Sequence, residues 1–466
     1  AFADVRDHAS QVSLAAAERI LEHVPDDEEI PSRLTAEMIH LAMARRSGDL
    51  RAAAAAAARA ENLLDKIPDG LHLEHPGAYA RVLAGRGAVE FWSGNLDSAA
   101  PLLEKAASLL EAEEACAPQR SHELANCRGH LALLEALRER LSQAAEIAAG
   151  ATIVPRDGRA GHPCPPAAVA LALVHLERNE LNRVHSQLKL ADTSLRDQPD
   201  KLVSAIGCLV AARARLAEGH PSAAADMLSR ARSGWSPPPW LERILTVTES
   251  QVCASAGDIQ AAMDAARRAA PERALDATVA LARACLAAGD LSAARRALGV
   301  AGMRRSDASD RVRVEAWLAD ARLGFRSGDP ARGRRSLERA LRLGEPQRLR
   351  LPFAMERSWL KPALERHADL AYAHRNVLEP GLVIAGRASA PRPADGQTDP
   401  VVVERLSERE CEVLRLVGEL LSTAEIANEM YISVNTVKTH LKSIFRKLGA
   451  VDRRDAVRRA RKNGLV

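Results

Sequence analysis

The sequence predicts an all-α protein, a solenoid of stacked helix hairpins followed by a small four-helix domain. Hydrophobic residues make up 47% of the 466 positions and aromatic residues only 3%. Runs such as Ala52–Ala58 favour helices, because alanine is the best helix former while aromatic and β-branched residues favour strands. A turn pattern that recurs about every 40 residues indicates repeats, and helix-start signals cluster near the C-terminus.

The recurring turn reads small residue, Gly, Asp or Asn, then Leu, and it separates two stretches with apolar residues at helical spacing. Gly is suited to end the first helix in a left-handed conformation, and Asp or Asn to cap the second. The predicted second helices start at Leu50, Leu96, Leu141, Leu181, Pro221, Ile259, Leu291 and Pro330. Hairpins of this kind bury their apolar faces by stacking on their neighbours.

These hairpins resemble tetratricopeptide repeats in a degenerate form. Residues 153–166 and 233–239 are rich in proline and are expected to be loops between repeats. Residues 386–403 contain Pro and Gly without a periodic apolar face, which is typical of a flexible linker. The sequence therefore predicts a helical-repeat sensor or interaction domain at 1–385, a linker at 386–403 and a small domain at 404–466.

Several classes of function find no support in the sequence. The seven cysteines form no C-x-x-C pair, so we expect no disulfide framework and no zinc site, and a reducing cytoplasm fits. No run of 18 apolar residues predicts a membrane span. The chain contains no Gly-Lys pair and hence no P-loop for ATP. We find no catalytic triad or metal-ligand set, and we expect neither an enzyme nor a bound cofactor.

The charge of the chain is unevenly distributed. From residue 404 onward there are thirteen basic and nine acidic residues, whereas the 52 basic and 52 acidic residues upstream cancel. The whole net charge of +4 therefore lies in the last 63 residues. A local basic excess is typical of nucleic-acid binders, and a solvated basic tail is the alternative.

Four helices are predicted in the small domain from their caps. Ser407–Glu410 and Ser422–Glu425 are capping boxes that open the first two helices. Ser433 caps a third helix, and Asp452 caps a fourth. The third helix carries apolar residues at steps of four, three and four, namely Val437, Leu441, Ile444 and Leu448. The second helix, the turn and the third helix make a helix-turn-helix.

Residues 406–466 resemble the DNA-binding domain of LuxR-type bacterial transcription regulators. The resemblance rests on Leu-Ser-Glu-Arg-Glu at 406–410, Glu-Ile-Ala at 425–427, Ile-Ser-Val-Asn-Thr-Val-Lys-Thr-His-Leu at 432–441 and Lys-Leu-Gly-Ala at 447–450. The sequence departs from the family pattern at 419–422, where a shifted turn is expected. More widely, the chain resembles the C-terminal part of large MalT-like regulators, which join an ATPase, a helical-repeat domain and this DNA-binding domain. The ATPase part is absent, so a C-terminal fragment of a longer parent is one interpretation.

The third helix has a face opposite its apolar residues that carries Asn435, Lys438, Thr439, Lys442 and Arg446. An α-helix fits the major groove of DNA, where such side chains meet base edges. In the family, the positions that match Lys438, Thr439 and Lys442 contact bases and nearby backbone. The residues expected at phosphates are Thr436, Lys447, Arg453 and Arg454.

The resemblance also implies a partner surface, because members of the family pair through the last helix. The small apolar strip that would pair consists of Val451, Ala456, Val457 and Ala460. We therefore expect a cytoplasmic, sequence-specific DNA-binding transcription regulator that forms a homodimer on double-stranded DNA and has no membrane partner. RNA polymerase is a further candidate partner, and the repeat domain is expected to bind an unidentified small-molecule or protein effector. An ATP-dependent MalT-like parent and a repeat scaffold for protein partners remain the alternatives.

Overall fold

The computed structural model describes residues 26–66, 76–114, 121–153, 162–195, 200–269, 274–301, 308–378, 408–418, 423–430 and 432–448. The chain divides into two compact units, Ala1–Arg387 and Ala388–Val466. The predicted linker at 386–403 lies outside the described residues and stays a prediction.

The first unit is an array of helix hairpins, and eight of them lie in its described part. They are α1 (Asp26–Ser47) with α2 (Leu50–Leu64), α3 (Pro76–Ser93) with α4 (Leu96–Glu114), α5 (Ser121–Leu137) with α6 (Leu141–Ala149), α7 (Pro165–Glu177) with α8 (Leu181–Leu195), α9 (Lys201–Ala217) with α10 (Pro221–Arg232), α11 (Pro239–Ala256) with α12 (Ile259–Arg268), α13 (Leu275–Ala288) with α14 (Leu291–Ala301), and α15 (Asp310–Arg326) with α16 (Pro330–Gly344). Every second helix begins at the residue that the turn pattern predicts. The expectation of an all-α, tetratricopeptide-like helical array is confirmed.

Most turns between paired helices have the predicted left-handed glycine, often followed by a residue that caps the second helix. In six of the eight, a glycine adopts a left-handed conformation, as Gly94 does with φ 88°. In four of these six turns an aspartate follows the glycine and caps the second helix; the Asp258 carboxylate, for example, accepts a hydrogen bond of 2.9 Å from the backbone N–H of Ala261. Asn95 and His220 follow the other two glycines. Glu139 (φ 63°) and Asn179 (φ 56°) occupy the same place in the remaining two turns. A left-handed conformation costs a residue such as Glu139 about 1–2 kcal/mol.

One predicted loop is partly wrong. Of residues 153–166, the ends pair as two short antiparallel strands, β1 (Thr152–Ile153) and β2 (His162–Pro163), and Pro165 already begins α7. Proline suits the first helical position because its missing N–H would have no helical partner there. Of the other predicted loop, 233–239, residues 233–238 do separate α10 from α11, and Pro239 already begins α11.

The array folds back so that hairpins distant in sequence contact one another. The Trp240 indole Nε1 donates a hydrogen bond of 2.9 Å to the Trp92 carbonyl. After α16, three short helices follow, α17 (Leu351–Met355), α18 (Arg357–Arg366) and α19 (Ala368–Ala373). Just before α17, the Arg350 N–H donates to the Glu177 carbonyl at 2.8 Å. The interior of the first unit is therefore closed by contacts that skip several repeats.

The second unit contains α20 (Glu408–Gly418), α21 (Thr423–Glu429) and α22 (Val434–Leu448) among its described residues. Its core consists of nine buried apolar residues: Val413, Leu414, Leu416, Val417, Ile426, Ala427, Met430, Val437 and Ile444. The predicted fourth helix, from Asp452 to Lys462, lies outside the described residues. In the described parts of both units, we find no helix with the length and apolar character needed to span a membrane.

Candidate nucleic-acid interface

The turn between α21 and α22 positions the candidate interface. The Ile432 N–H donates a hydrogen bond of 3.0 Å to the Ala427 carbonyl, which closes α21. The Ser433 hydroxyl then accepts from the Thr436 N–H at 3.1 Å and lies 2.8 Å from the Thr436 hydroxyl. This is the predicted cap of the third helix, since a serine side chain satisfies a backbone donor in the first turn.

The predicted apolar face of α22 is buried, and its opposite face is described only in part. Val437 and Ile444 are fully buried, and Leu441 packs against the same core. Thr436 and Thr439 are exposed. Of the other expected base-reading residues, Asn435, Lys438, Lys442 and Arg446 lie within the helix, and their side chains are outside the described set. The backbone of α22 therefore presents all of these positions on one continuous helix.

A buried carboxylate fastens α22 to α20. Glu410 is 4% exposed, and its two oxygens accept from the Ser443 hydroxyl at 2.7 Å and the Lys447 ammonium at 2.8 Å. Lys447 is thus held by a partner inside the domain, and its contact with a phosphate stays a prediction. Sequence reasoning assigned Glu410 to the capping box and missed this link, because the pair is separated by 37 residues.

The remaining predicted site residues lie outside the described part of the chain. These are the phosphate candidates Arg453 and Arg454 and the dimerisation strip of Val451, Ala456, Val457 and Ala460. Their roles stay predictions.

Sequence reasoning also missed a group of buried charges inside the first unit. The Arg311 guanidinium lies 2.8 Å from Glu315, and its backbone N–H donates to the Glu139 carboxylate at 2.6 Å. Glu177 pairs with Arg213 at 2.8 Å. Burial raises the pKa of Glu139 to about 7, although Arg311 opposes the shift. One sequence signal could have marked the place, since Glu139 stands where most repeats have glycine.

The short turn from α21 into α22, and the burial of Val437 and Ile444 against the domain core, are features of helix-turn-helix DNA-binding domains. A family model confirms the class, since residues 404–460 match the bacterial regulatory proteins of the luxR family. The C-terminal domain is thus a LuxR-family domain, as its motifs indicate.

Relatives of the chain fall into two kinds. Response regulator protein VraR of Staphylococcus epidermidis is 35% identical over 95 residues, 20% of this chain and 43% of its own length. Transcriptional regulatory protein LiaR of Bacillus subtilis is 43% identical over 63 residues, 14% of this chain and 30% of its own length. Mb0914c of Mycobacterium bovis, which bears the name of an HTH-type transcriptional regulator, is 26% identical over 430 residues.

The alignment with Mb0914c covers 90% of this chain and 42% of that protein. The repeat unit and the LuxR-family domain therefore occur together in a larger regulator, which agrees with the predicted resemblance to large MalT-like proteins. The chain spans less than half the length of these relatives. Among solved structures, the APC/C hetero-tetramer Cut9-Hcn1 aligns over 98% of this chain and 94% of that chain, with 15% identity and a TM-score of 0.35. A likeness this remote has no bearing on function.

Proposed function

We propose that the protein is a sequence-specific DNA-binding transcription regulator whose helix α22 reads the major groove. The observation that carries the proposal is the position of α22, which is buried along Val437 and Ile444, capped at Ser433 and linked to α20 through Glu410. A helix that is capped, attached to the core of its domain and exposed at Thr436 and Thr439 suits major-groove recognition. The luxR family match at 404–460 supports the same role.

The roles of individual residues follow from where the helix would meet DNA. Lys438, Thr439 and Lys442 would read bases together with Asn435 and Arg446, because side chains in the first half of a recognition helix face base edges. The residues that would bind phosphates are Thr436, Lys447, Arg453 and Arg454. Phosphate contacts fix register, whereas base contacts carry sequence information.

The regulator would act as a pair on DNA, with RNA polymerase as a further contact. The apolar strip of Val451, Ala456, Val457 and Ala460 is small, so the free domain would be mainly monomeric. Two half-sites on one duplex would raise the effective concentration of the second copy and favour pairing. The site would be a near-palindrome with half-sites about one helical turn apart.

The repeat unit would serve as the sensor that binds an effector or a protein partner. Such a protein would act in the cytoplasm, where bacterial DNA is found. Free thiols fit this compartment, and the six described cysteines are all unpaired. No catalytic role is proposed.

The experiment is to select preferred sites from random DNA and then compare affinities of substituted full-length chains. Lys438→Ala and Thr439→Ala should each reduce discrimination between selected and random DNA, by about 1–3 kcal/mol for every good base interaction that is removed. Arg453→Ala is the matched control and should weaken both kinds of DNA about equally. Equal losses on both DNAs for Lys438→Ala would remove it from the base-reading set.

A further inference from the structure

A cavity of about 490 Å³ lies within the first unit. Residues of the first helices of six successive hairpins line it, from α5 through α7, α9, α11 and α13 to α15. First helices of stacked hairpins share one side of the array, so the cavity is the inner surface of the repeats. Its volume suits a small-molecule ligand.

The cavity wall combines apolar surface with three carboxylates, those of Glu139, Glu177 and Asp276, and three guanidinium groups. Leu173, Leu209 and Leu275 are among its apolar residues. Its arginines are already paired: Arg213 with Glu177 at 2.8 Å, Arg243 with Asp276 at 3.1 Å, and Arg311 with Glu315 at 2.8 Å. Glu315 lies outside the lining residues and is closer to the Arg311 guanidinium than Glu139 at 3.6 Å or Glu177 at 3.8 Å. A cationic ligand group would therefore find two carboxylates in the wall that Arg311 engages only weakly.

Glu177 offers an acceptor without a partner. The residue is only 2% exposed and lines the cavity. One of its carboxylate oxygens, Oε1, accepts from Arg213, whereas Oε2 has no hydrogen-bond partner among the described residues. A buried acceptor left unpaired costs free energy, so a donor from a ligand would be favoured there.

Glu139 is the second unusual group in the wall. It holds a left-handed conformation where six of the eight described turns use glycine. Strained residues of this kind persist mainly at functional sites. The groups that face its carboxylate are Arg311, Ser309 and Glu177, and Arg311 is shared with two further carboxylates.

We propose that the cavity binds a small organic monocation, a protonated amine or a guanidinium on an apolar body, with the cationic head at Glu177 and Glu139. The proposal rests on the sensor role suggested above and names the chemistry of the effector. An anionic ligand fits poorly, because it would have to displace the carboxylate that each arginine already holds. A bare metal ion also fits poorly, since the described residues contain no cluster of three metal-ligating side chains.

The test measures binding of three matched probes to the full chain by ligand-observed NMR, without DNA. The probes are phenylbutylammonium, phenylbutanol and phenylbutyrate, which share one apolar body and differ in charge. For ligands of this size we expect dissociation constants in the millimolar range. The ammonium should bind about tenfold more tightly than the alcohol, the gain expected from one charge-assisted hydrogen bond. Equal affinities for the three probes, or tightest binding of the carboxylate, would overturn the proposal.

Variants locate the binding. Glu177→Gln removes the charge and should lower the affinity for the ammonium to that for the alcohol. Glu111→Gln is the control, because Glu111 is an exposed carboxylate outside the cavity. Ala274→Leu narrows the cavity without removing a charge and should weaken the binding of all three probes. It tests the location of the site even if Glu177→Gln unfolds the protein. Ammonium binding that survives both substitutions in folded protein would place the ligand elsewhere and refute the proposal.

Ammonium affinity measured as a function of pH would not change in the expected way if Glu139 had only a structural role. Protonation of Glu139 competes with the ligand, so ammonium affinity should rise between about pH 6 and pH 8, and the rise should vanish in Glu139→Gln. DNA affinity of the same protein is measured separately. Failure of the probes with intact DNA binding refutes only the cation site, whereas probe binding without DNA binding refutes only the regulator function.

Discussion

The two units of the protein differ in the balance and the burial of their charged residues. Upstream of residue 404 the charges balance, and several pairs are largely buried, as in Arg213–Glu177 and Arg311–Glu315. In the C-terminal unit, Glu410 is the one described acidic side chain that is buried, and the sequence of this unit carries the whole basic excess. Where a charge lies therefore says more about function than the modest net charge of the whole chain.

The units also differ in the number of buried apolar residues that stabilise them. The first unit buries dozens of apolar residues, many of them alanines that let helices approach closely. The described C-terminal core has nine. Removal of a single buried ion pair should therefore matter more in the C-terminal unit, and three substitution experiments can sharpen or break this comparison.

The largest effect is expected for Glu410→Ala. The change leaves the Lys447 ammonium in a partly buried place without its carboxylate and removes the acceptor of the Ser443 hydroxyl. Breaking a buried pair costs about 3–5 kcal/mol, a large share of the stability of a small domain. Hydrogen exchange of residues 408–448 should become fast, and DNA binding should be lost.

The matched control for that change is Glu412→Ala on the same helix. Glu412 forms an exposed ion pair with Arg409 at 2.9 Å, and such pairs contribute about 0–1 kcal/mol. Comparable exchange rates in the two variants would show that Glu410 does not fasten α22.

The second effect concerns two buried carboxylates of the repeat unit. Burial raises the pKa of Glu139 to about 7 from 4.5, so its contribution to stability is present below pH 4.5 and lost as pH rises toward 7. Although burial opposes it, Arg45 and His130 hold the pKa of Asp200 below 3.8, so its contribution is lost only on acidification. Between pH 4.5 and 7, the free energy of unfolding of the wild type should fall by about 3 kcal/mol relative to that of Glu139→Gln.

Thermal unfolding of both chains across that pH range, followed by circular dichroism, measures this difference. Asp200→Asn serves as the comparison, and it should keep the loss of stability toward pH 7, because Glu139 is intact in it. Parallel pH curves for wild type and Glu139→Gln would show that Glu139 titrates normally.

The smallest effect is expected for two glycines with the same backbone conformation. Gly94 and Gly257 both have φ 88°, so alanine costs about 1–2 kcal/mol at either position. A Cβ at Gly94 would also lie 2.7 Å from Trp240 Cδ1, whereas a Cβ at Gly257 meets nothing within 4 Å. Gly94→Ala should therefore destabilise the protein by a further 1–3 kcal/mol or so through overpacking. Equal urea midpoints for Gly94→Ala and Gly257→Ala would contradict the close packing of Trp240 against Gly94.

Local chemistry explains what could be predicted from the sequence. A glycine followed by a capping residue specifies a turn over a few positions, which explains why helix starts such as Ile259 and Pro330 were predicted correctly. Weaker copies of the pattern, without glycine, also predicted the starts at Leu141 and Leu181. The apolar steps of Val437, Leu441 and Ile444 likewise predicted the buried face of α22. Both signals act within one or two helical turns.

Interactions between distant residues could not be predicted in this way. The hydrogen bond from Arg311 to Glu139 joins residues 172 positions apart. The turn of the array that brings them together depends on the packing angles of many hairpins, which no single motif encodes. The cavity was missed for the same reason, and so was the return of residues near Arg350 to Glu177.

The central claim is that DNA binding belongs to the C-terminal domain and not to the repeat unit. The most direct measurement compares the DNA affinity of residues 404–466 with that of residues 1–385 over a range of salt concentrations. The C-terminal segment should bind at low salt and lose affinity steeply as salt rises, because each phosphate interaction releases counterions. The repeat segment should not bind. Binding by residues 1–385 together with no binding by residues 404–466 would contradict the claim.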